Sequence, residues 1–373
     1  FVLANAGPLT IDVVGTQTGV TAPVGYIYVH TGTALTVLKD VISTGGSTTV
    51  ASDTAGVTVT GATVSSSAGT FLNSATTTDL TGGAIVTATN LSSTFVNVGT
   101  ALAVTDSTID STDGTQVTAG TTVAVTGNST VGSGDFLNLT AGTNLTIGGG
   151  ATVTATTNTT VFVGANNAGS DNVVRGTLSA AGIPQIIGAG GNDVVLIDFT
   201  GGASLPNGAN FDAAGGTADE LQVSDALGGA AHAYVIGGTD VTRDGTTDIT
   251  VGNVESIDAT GGNLADTFTV VPSPTVAVDV HGGTPTVAPG DTLTVLNAAT
   301  AFLSTTPSGG SVSGTYDFPA GTQDVTFAEI ETLNTGADAV AITKDDGITA
   351  AVPGTTVTYS VVVTNTATVG LTG

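Results

Sequence analysis

The run GVTVTGATV, Gly56–Val64, decides how this chain is read, because variants of it return along the first half of the sequence. ALTVLKDVI (Ala34–Ile42) precedes it, and TDLTGGAIV (Thr78–Val86), ALAVTDSTI (Ala101–Ile109), TVAVTGNSTV (Thr122–Val131) and NLTIGGGATV (Asn144–Val153) follow. Each copy is an alternating apolar pair, a small polar corner and a further apolar residue. The column Val37, Val59, Leu80, Val104, Val125 and Ile147 recurs about every 22 residues, a period of stacked β-coils and not of helical repeats.

Read outward from that run, each coil holds three short strands. The first carries pairs such as Val57 and Val59 or Leu102 and Val104; the second carries Val64, Ile85, Ile109, Val131 and Val153. The third is less tidy, with Phe71 and Leu72, Phe95 and Val96, Val117, Phe136 and Leu137, then Val161 and Val163. Gly, Asp, Asn, Ser and Thr fill the corners, where tight or left-handed backbone is needed. The expected fold is all-β: a parallel β-solenoid of about 22 residues per coil, right-handed by analogy with known β-helices. Coils stack at ~4.8 Å, with aliphatic columns inside and Thr ladders outside.

The 373 residues carry a formal charge of -26 and only four Lys plus Arg, with 54 Gly and no Cys, Met or Trp. A 40% hydrophobic content, mostly Val, Ala, Ile and Leu, allows a real core and suits strands. Lys39, Arg175, Arg243 and Lys344 cannot form a basic surface, so no nucleic-acid partner is expected. No apolar run approaches the ~20 residues of a spanning helix, so no membrane insertion is expected either. Without Cys there are no disulfides or thiolate metal sites. A chain opening at Phe1 reads as a processed product or a fragment whose secretion signal has gone. The acidic, Lys-poor, Thr- and Gly-rich composition points to an extracellular or cell-surface location.

Residues 1–33 read as an N-terminal cap or irregular coils, and 34–200 as the regular solenoid. Over 201–338 the period lengthens into two β repeats that continue or flank it. DELQV (Asp219–Val223) matches DTLTV (Asp291–Val295), and ITVGNVESIDATGG (Ile249–Gly262) matches VTFAEIETLNTG (Val325–Gly336), each pair offset by about 72 to 76 residues. In the last segment, 339–373, Thr343, Lys344 and Asp345 lead through Val352, Pro353 and Gly354 to Val357, Thr358, Tyr359 and on to Thr364 and Asn365. This order resembles the opening of an Ig-like repeat domain of prokaryotic surface proteins. The chain as a whole resembles β-helical prokaryotic extracellular surface proteins of the adhesin or filament type. Both resemblances imply display outside the cell. Half an Ig sandwich leaves a strand face uncovered, so either a larger precursor continues beyond Gly373 or the strand at Tyr359 to Val363 is completed by, or donated to, another molecule.

Four Gly-rich acidic turns, at Asp193, Asp219, Asp266 and Asp291, resemble degenerate nonapeptide calcium-binding repeats, so calcium is the one cofactor considered. Hard divalent cations want six to eight oxygens, and the competing role for each Asp is to accept turn amides before a strand. Asp106, Asp110, Asp113 and Asp135 are the nearest approach to paired catalytic carboxylates. With no Trp and 4% aromatics there is little platform for sugar stacking, so no enzyme is expected. His30, His232 and His281 share no ligand spacing and read as solvent-facing or turn residues. Asn-x-Ser/Thr triplets at Asn90, Asn128, Asn138, Asn144 and Asn158 permit surface glycans, although a Thr-rich chain makes such triplets by composition alone. The expected function is structural: a fibre, sheath or adhesin stalk associating through its ends, with Phe1, Val2, Leu3, Tyr359, Val361 and Val363 at the interface. The alternatives are a surface module binding carbohydrate or cells, and a polysaccharide-degrading β-helix enzyme.

Overall fold

The computed structural model describes residues 1–14, 17–162, 164–165, 169–285, 289–298, 301–334, 340–345 and 360–365, the last two segments as backbone only. They form a parallel β-solenoid of about 12 turns with roughly 23 residues per turn, and no α-helix occurs among them. Sheet A has 16 strands and sheet B 15, while a third sheet, C, has eight and accompanies only the first part of the stack.

Val57–Thr60 lies parallel between Leu35–Val37 and Thr78–Thr81, with Val59 opposite Val37 and Leu80. The same register joins Leu80 to Val104, Val125 and Ile147, so the repeating column is one buried stack in sheet B. In sheet C, Val64 aligns with Val41, Val86, Ile109, Val131 and Val153. Ile85, expected in that column, is instead 38% exposed and Val86 takes its place. The Gly82-Gly83 corner is one residue longer than the Gly61 corner, and a one-residue slip turns a strand residue to the opposite face.

Thr ladders run outside, as in Thr60 to Thr81 at 3.1 Å and Thr105 to Thr126 at 3.2 Å. A second ladder, not expected, runs inside. Thr48, Thr70, Thr94, Thr115 and Thr159 are fully buried at the start of sheet A strands. Each hydroxyl donates to a carbonyl at the sheet C end of the coil: Ser65, Thr87, Asp110, Gly132 and Ser179. A buried hydroxyl needs such a partner, and this one ties two sheets together at each corner.

Sheet C stops at Thr177–Ser179, beyond which only a bridge from Thr177 to Ser204 continues it. The following FTGGASLPNG (Phe199–Gly208) has no alternating apolar run to build another strand there. With the third aliphatic column gone, larger side chains fill the core. Phe211, Tyr234, Phe268, Tyr316 and Phe327 are all buried, whereas the core of the earlier coils is aliphatic.

The longer repeats in 201–338 come from two hairpins. Ala233–Ile236 and Asp240–Arg243 form a hairpin inserted into sheet A, Asp240–Arg243 antiparallel to Thr247–Gly252 and Ala233–Ile236 parallel to Thr267–Val270. Phe302–Ser308 and Ser311–Asp317 extend sheet B antiparallel beyond Val325–Ile330. The outermost of these, Phe302–Ser308, contains Pro307, which has no N–H to offer another strand. Residues 1–33 supply the first coil, made irregular by a small hairpin pairing Val13 with Thr18, and begin the second. Val340–Asp345 pairs antiparallel with Ser360–Asn365, placing Val361 opposite Lys344 and Val363 opposite Ile342. Tyr359 lies outside the described residues.

Candidate functional site: stacked carboxylates and the first coil

All four aspartates considered for calcium are fully buried and belong to two ladders of identical construction. In the first, Asp193 accepts the Ser170 hydroxyl on Oδ1 at 2.6 Å and the Ala189 N–H on Oδ2 at 2.9 Å. The Asp193 N–H is donated to Asp219 Oδ1 at 2.6 Å, and the Asp219 N–H to Glu255 Oε2 at 2.8 Å. In the second, the Gly262 N–H reaches Asp266 Oδ2 at 2.7 Å, the Asp266 N–H reaches Asp291 Oδ1 at 2.7 Å, and the Asp291 N–H reaches Glu331 Oε2 at 2.6 Å. The backbone bonds repeat as well: Glu255 and Ser256 donate to the Asp219 carbonyl, as Glu331 and Thr332 do to that of Asp291.

These ladders are the physical content of the long sequence repeat. The first stands at the entry to sheet B strands and the second at the entry to sheet A strands, so the two copies are related by a shift of half a coil. Glycine is required beside them. A Cβ on Gly188 would lie 2.4 Å from Asp193 Oδ2, and one on Gly261 would lie 2.6 Å from Asp266 Oδ2.

The donor set fits calcium poorly. Both oxygens of Asp193 and of Asp266 accept hydrogen bonds from the protein, the latter taking the His232 N–H at 2.6 Å on Oδ1. Among the described residues no three His, Asp or Glu side chains converge to hold a metal ion. Asp219 Oδ2, Asp291 Oδ2 and Glu331 Oε1 are buried without a hydrogen-bond partner. Burial, reinforced by the neighbouring Glu255 and Asp193, raises the Asp219 carboxyl above its ordinary range. Burial likewise raises Asp266, and together with the Glu331 and Asp266 charges it pushes Asp291 up to about 7. A proton on an unpartnered oxygen relieves the cost of burying that charge.

A third carboxylate network pins the inserted hairpin. Asp225, buried just after the sheet B strand Glu220–Ser224, takes a two-pronged bond from Arg243: Nε to Oδ2 at 2.7 Å and Nη2 to Oδ1 at 3.0 Å. The Tyr234 hydroxyl also donates to Asp225 Oδ2, and Arg243 lies 4.5 Å over the Phe199 ring. Burial and the Asp225 carboxylate raise the Tyr234 hydroxyl. Burial works against the Arg243 charge, but Asp225 more than compensates and leaves it raised. His232 bridges the network outward, with Nε2 2.6 Å from Arg243 and Nδ1 2.8 Å from Asp244. Of the two expectations for it, solvent-facing or turn, His232 meets the second: it stands in the connection leading into Ala233–Ile236, with its side chain mostly covered.

The remaining candidates occupy separate places. His30 pairs with Asp53 at 2.7 Å and His281 with Asp279 at 3.3 Å. Asp106 caps the Asn128 N–H at 2.9 Å, Asp110 lies within a sheet C strand, Asp113 accepts from Ser93 at 3.1 Å, and Asp135 accepts from Thr157 at 2.6 Å. Arg175 makes a surface ion pair with Asp198 at 2.8 Å.

Phe1, Val2 and Leu3 are folded back onto the second coil. The Phe1 ammonium donates to the Tyr26 carbonyl at 2.8 Å, and Val2–Asn5 pairs in parallel with Ile27–Thr31. The opposite edge of Val2–Asn5 is unpaired, as are those of Leu9–Ile11 in sheet B and Val20–Ala22 in sheet C. Of the inward residues of this coil Ile11 and Ala22 are buried but Leu3, Leu9 and Val20 only partly so, whereas their column mates Val29, Leu35 and Val41 are sealed. Among the described residues, then, the first coil offers three strand edges around an apolar centre.

Sequence reading missed Glu255, Glu331 and the Asp225–Arg243 network. The repeat alignment contained the two glutamates, since VGNVES and FAEIET superpose them. Nothing local marks Asp225, whose partner arrives 18 residues later. No family model, curated protein or solved structure matches the chain.

Proposed function

We propose that this chain is a non-enzymatic extracellular structural protein that associates with copies of itself as a surface fibre, sheath or adhesin stalk. The observation that carries this reading is the first coil. Its three parallel edge strands surround Leu3, Leu9 and Val20, and the next coil buries the same columns completely. An added coil would complete those hydrogen bonds and cover that apolar centre, whether it came from an earlier stretch of a longer chain or from another copy. The stack itself suits a mechanical role, because each turn is held to the next by backbone ladders and buried columns. Resemblance of the last segment to an Ig-like surface repeat fits display outside the cell.

Light scattering across a concentration series tests the association. The expected result is a mass that climbs with concentration and is halted by Val2→Pro or Leu9→Asp, either of which spoils the first edge. A mass fixed at one chain over the whole series would refute self-association.

A further inference from the structure

We infer that the outer face of sheet A, over the first nine coils, is a lateral interface for a second copy of this chain. This sideways contact is additional to growth from the first coil and does not depend on it. Five of the seven aromatic residues before Phe199 sit at outward positions of this one sheet: Tyr28, Phe71, Phe95, Phe136 and Phe162. The other two directly precede its strands. No outward position of its strands from Val2 to Ile187 carries a carboxylate, Lys or Arg. Its one imidazole, that of His30, pairs with Asp53 at the rim. The other faces of the same coils are not neutral, with Asp79 and Asp171 on sheet B and Asp110 on sheet C. Beside the stacked pair Phe71 and Phe95, the aligned Asn97 and Asn73 are tied by a bond from Asn97 Nδ2 to Asn73 Oδ1 at 3.0 Å.

Three observations select a second copy as the occupant. The rings do not lie flat as a sugar platform would. Phe71 and Phe95 stack on each other at 5.1 Å and 4°, so their faces are spent and their edges point outward. Phe136 folds over bare Gly114, where a Cβ would meet its ring at 2.3 Å. Ring edges interspersed with uncharged Thr, Asn and Gln side chains suit another pleated face, as in sheet-on-sheet packing. Charge agrees, since two chains at -26 each approach with least repulsion through the face that holds no carboxylate. Size agrees too: nine strands ~4.8 Å apart and about five residues long offer roughly 700 Å² per copy, near the lower end for a stable pair. A two-fold pairing presents the same patch from both copies and puts its axis near the fifth coil, at Asn97.

The chain has no cysteine, so a single introduced one reports its own contacts. Full-length Asn97→Cys should form a disulfide dimer under mild oxidation at least ten times faster than Thr60→Cys, which lies on sheet B. Asn97 and Gln116 are both exposed, so the double variant Asn97→Asp, Gln116→Glu should keep the wild-type unfolding temperature. Sedimentation should show its lateral dimer weakened at least tenfold, with growth from the first coil unchanged. Equal cross-linking from both cysteine positions would overturn the inference, as would undiminished dimerisation of the charged variant. Overturning it equally would be a wild-type chain that never pairs sideways but binds a soluble neutral oligosaccharide, with binding lost in the charged variant.

Discussion

The first eight coils and the coils after Ser179 solve the same problem with different means. The earlier part closes three sheets around columns of Val, Leu and Ile and carries nine of the 30 acidic residues before position 188. The later part keeps two sheets, fills the gap with buried aromatics and carries 18 acidic residues between Asp193 and Glu331, several of them inside. Where backbone repeats every turn, ladders of Thr and aliphatic residues suffice. Where hairpins interrupt the winding, each corner needs a specific acceptor for the amides that no neighbouring strand serves. Buried carboxylates do that work, and sequence regularity falls as a result.

The largest difference between the regions should appear at their arginines. Arg243→Met leaves Asp225 buried without its cation and is expected to cost about 3–5 kcal/mol by denaturant unfolding. Arg175→Met, on the surface of the earlier coils, should cost no more than about 0.5 kcal/mol. Similar losses at both sites would remove the distinction.

Next come the ladders. Asp219→Ala and Asp291→Ala each strand a buried amide, that of Asp193 or Asp266, and should cost roughly 1–3 kcal/mol apiece. The Asn variants keep an accepting oxygen and should recover most of it. Equal loss in Ala and Asn variants would mean that the negative charge, not the amide acceptor, matters.

A smaller effect separates the two copies by pH. Asp291 is raised from 3.8 to about 7 by burial and by the charges of Glu331 and Asp266, so the folded chain holds a proton that the unfolded chain releases. Its contribution to stability is complete below about pH 4 and is lost as pH rises through 7. Raised His281 acts in the same direction. The clean readout is therefore Asp291→Asn against wild type, and the wild-type melting temperature should fall more between pH 5 and pH 8. Parallel pH profiles would contradict this assignment. Last, a chelator should leave the melting temperature unchanged in both regions, because both oxygens of Asp193 and of Asp266 already accept hydrogen bonds and no three acidic or His side chains converge among the described residues; a drop of several degrees would restore calcium to the account.

Most of the fold was legible because strand alternation and coil length are both written in the apolar columns. Ile85 misled because a single extra corner glycine inverts the side chain that follows it. The inner Thr ladder was illegible since inward and outward threonines look alike in sequence. Asp193, Asp219, Asp266 and Asp291 were recognisable as special from their Gly-rich turns, but their chemistry depends on Glu255 and Glu331 two strands or a hairpin away. The aromatics of the earlier coils are scattered in sequence, and it is the stacking register that gathers five of them on one face.

Electron micrographs of the purified chain, with diffraction from aligned specimens, test the central claim most directly. The account predicts filaments longer than the roughly 60 Å of twelve coils, with the ~4.8 Å repeat continuing along their length. Isolated rods of one chain's length at every concentration would contradict it.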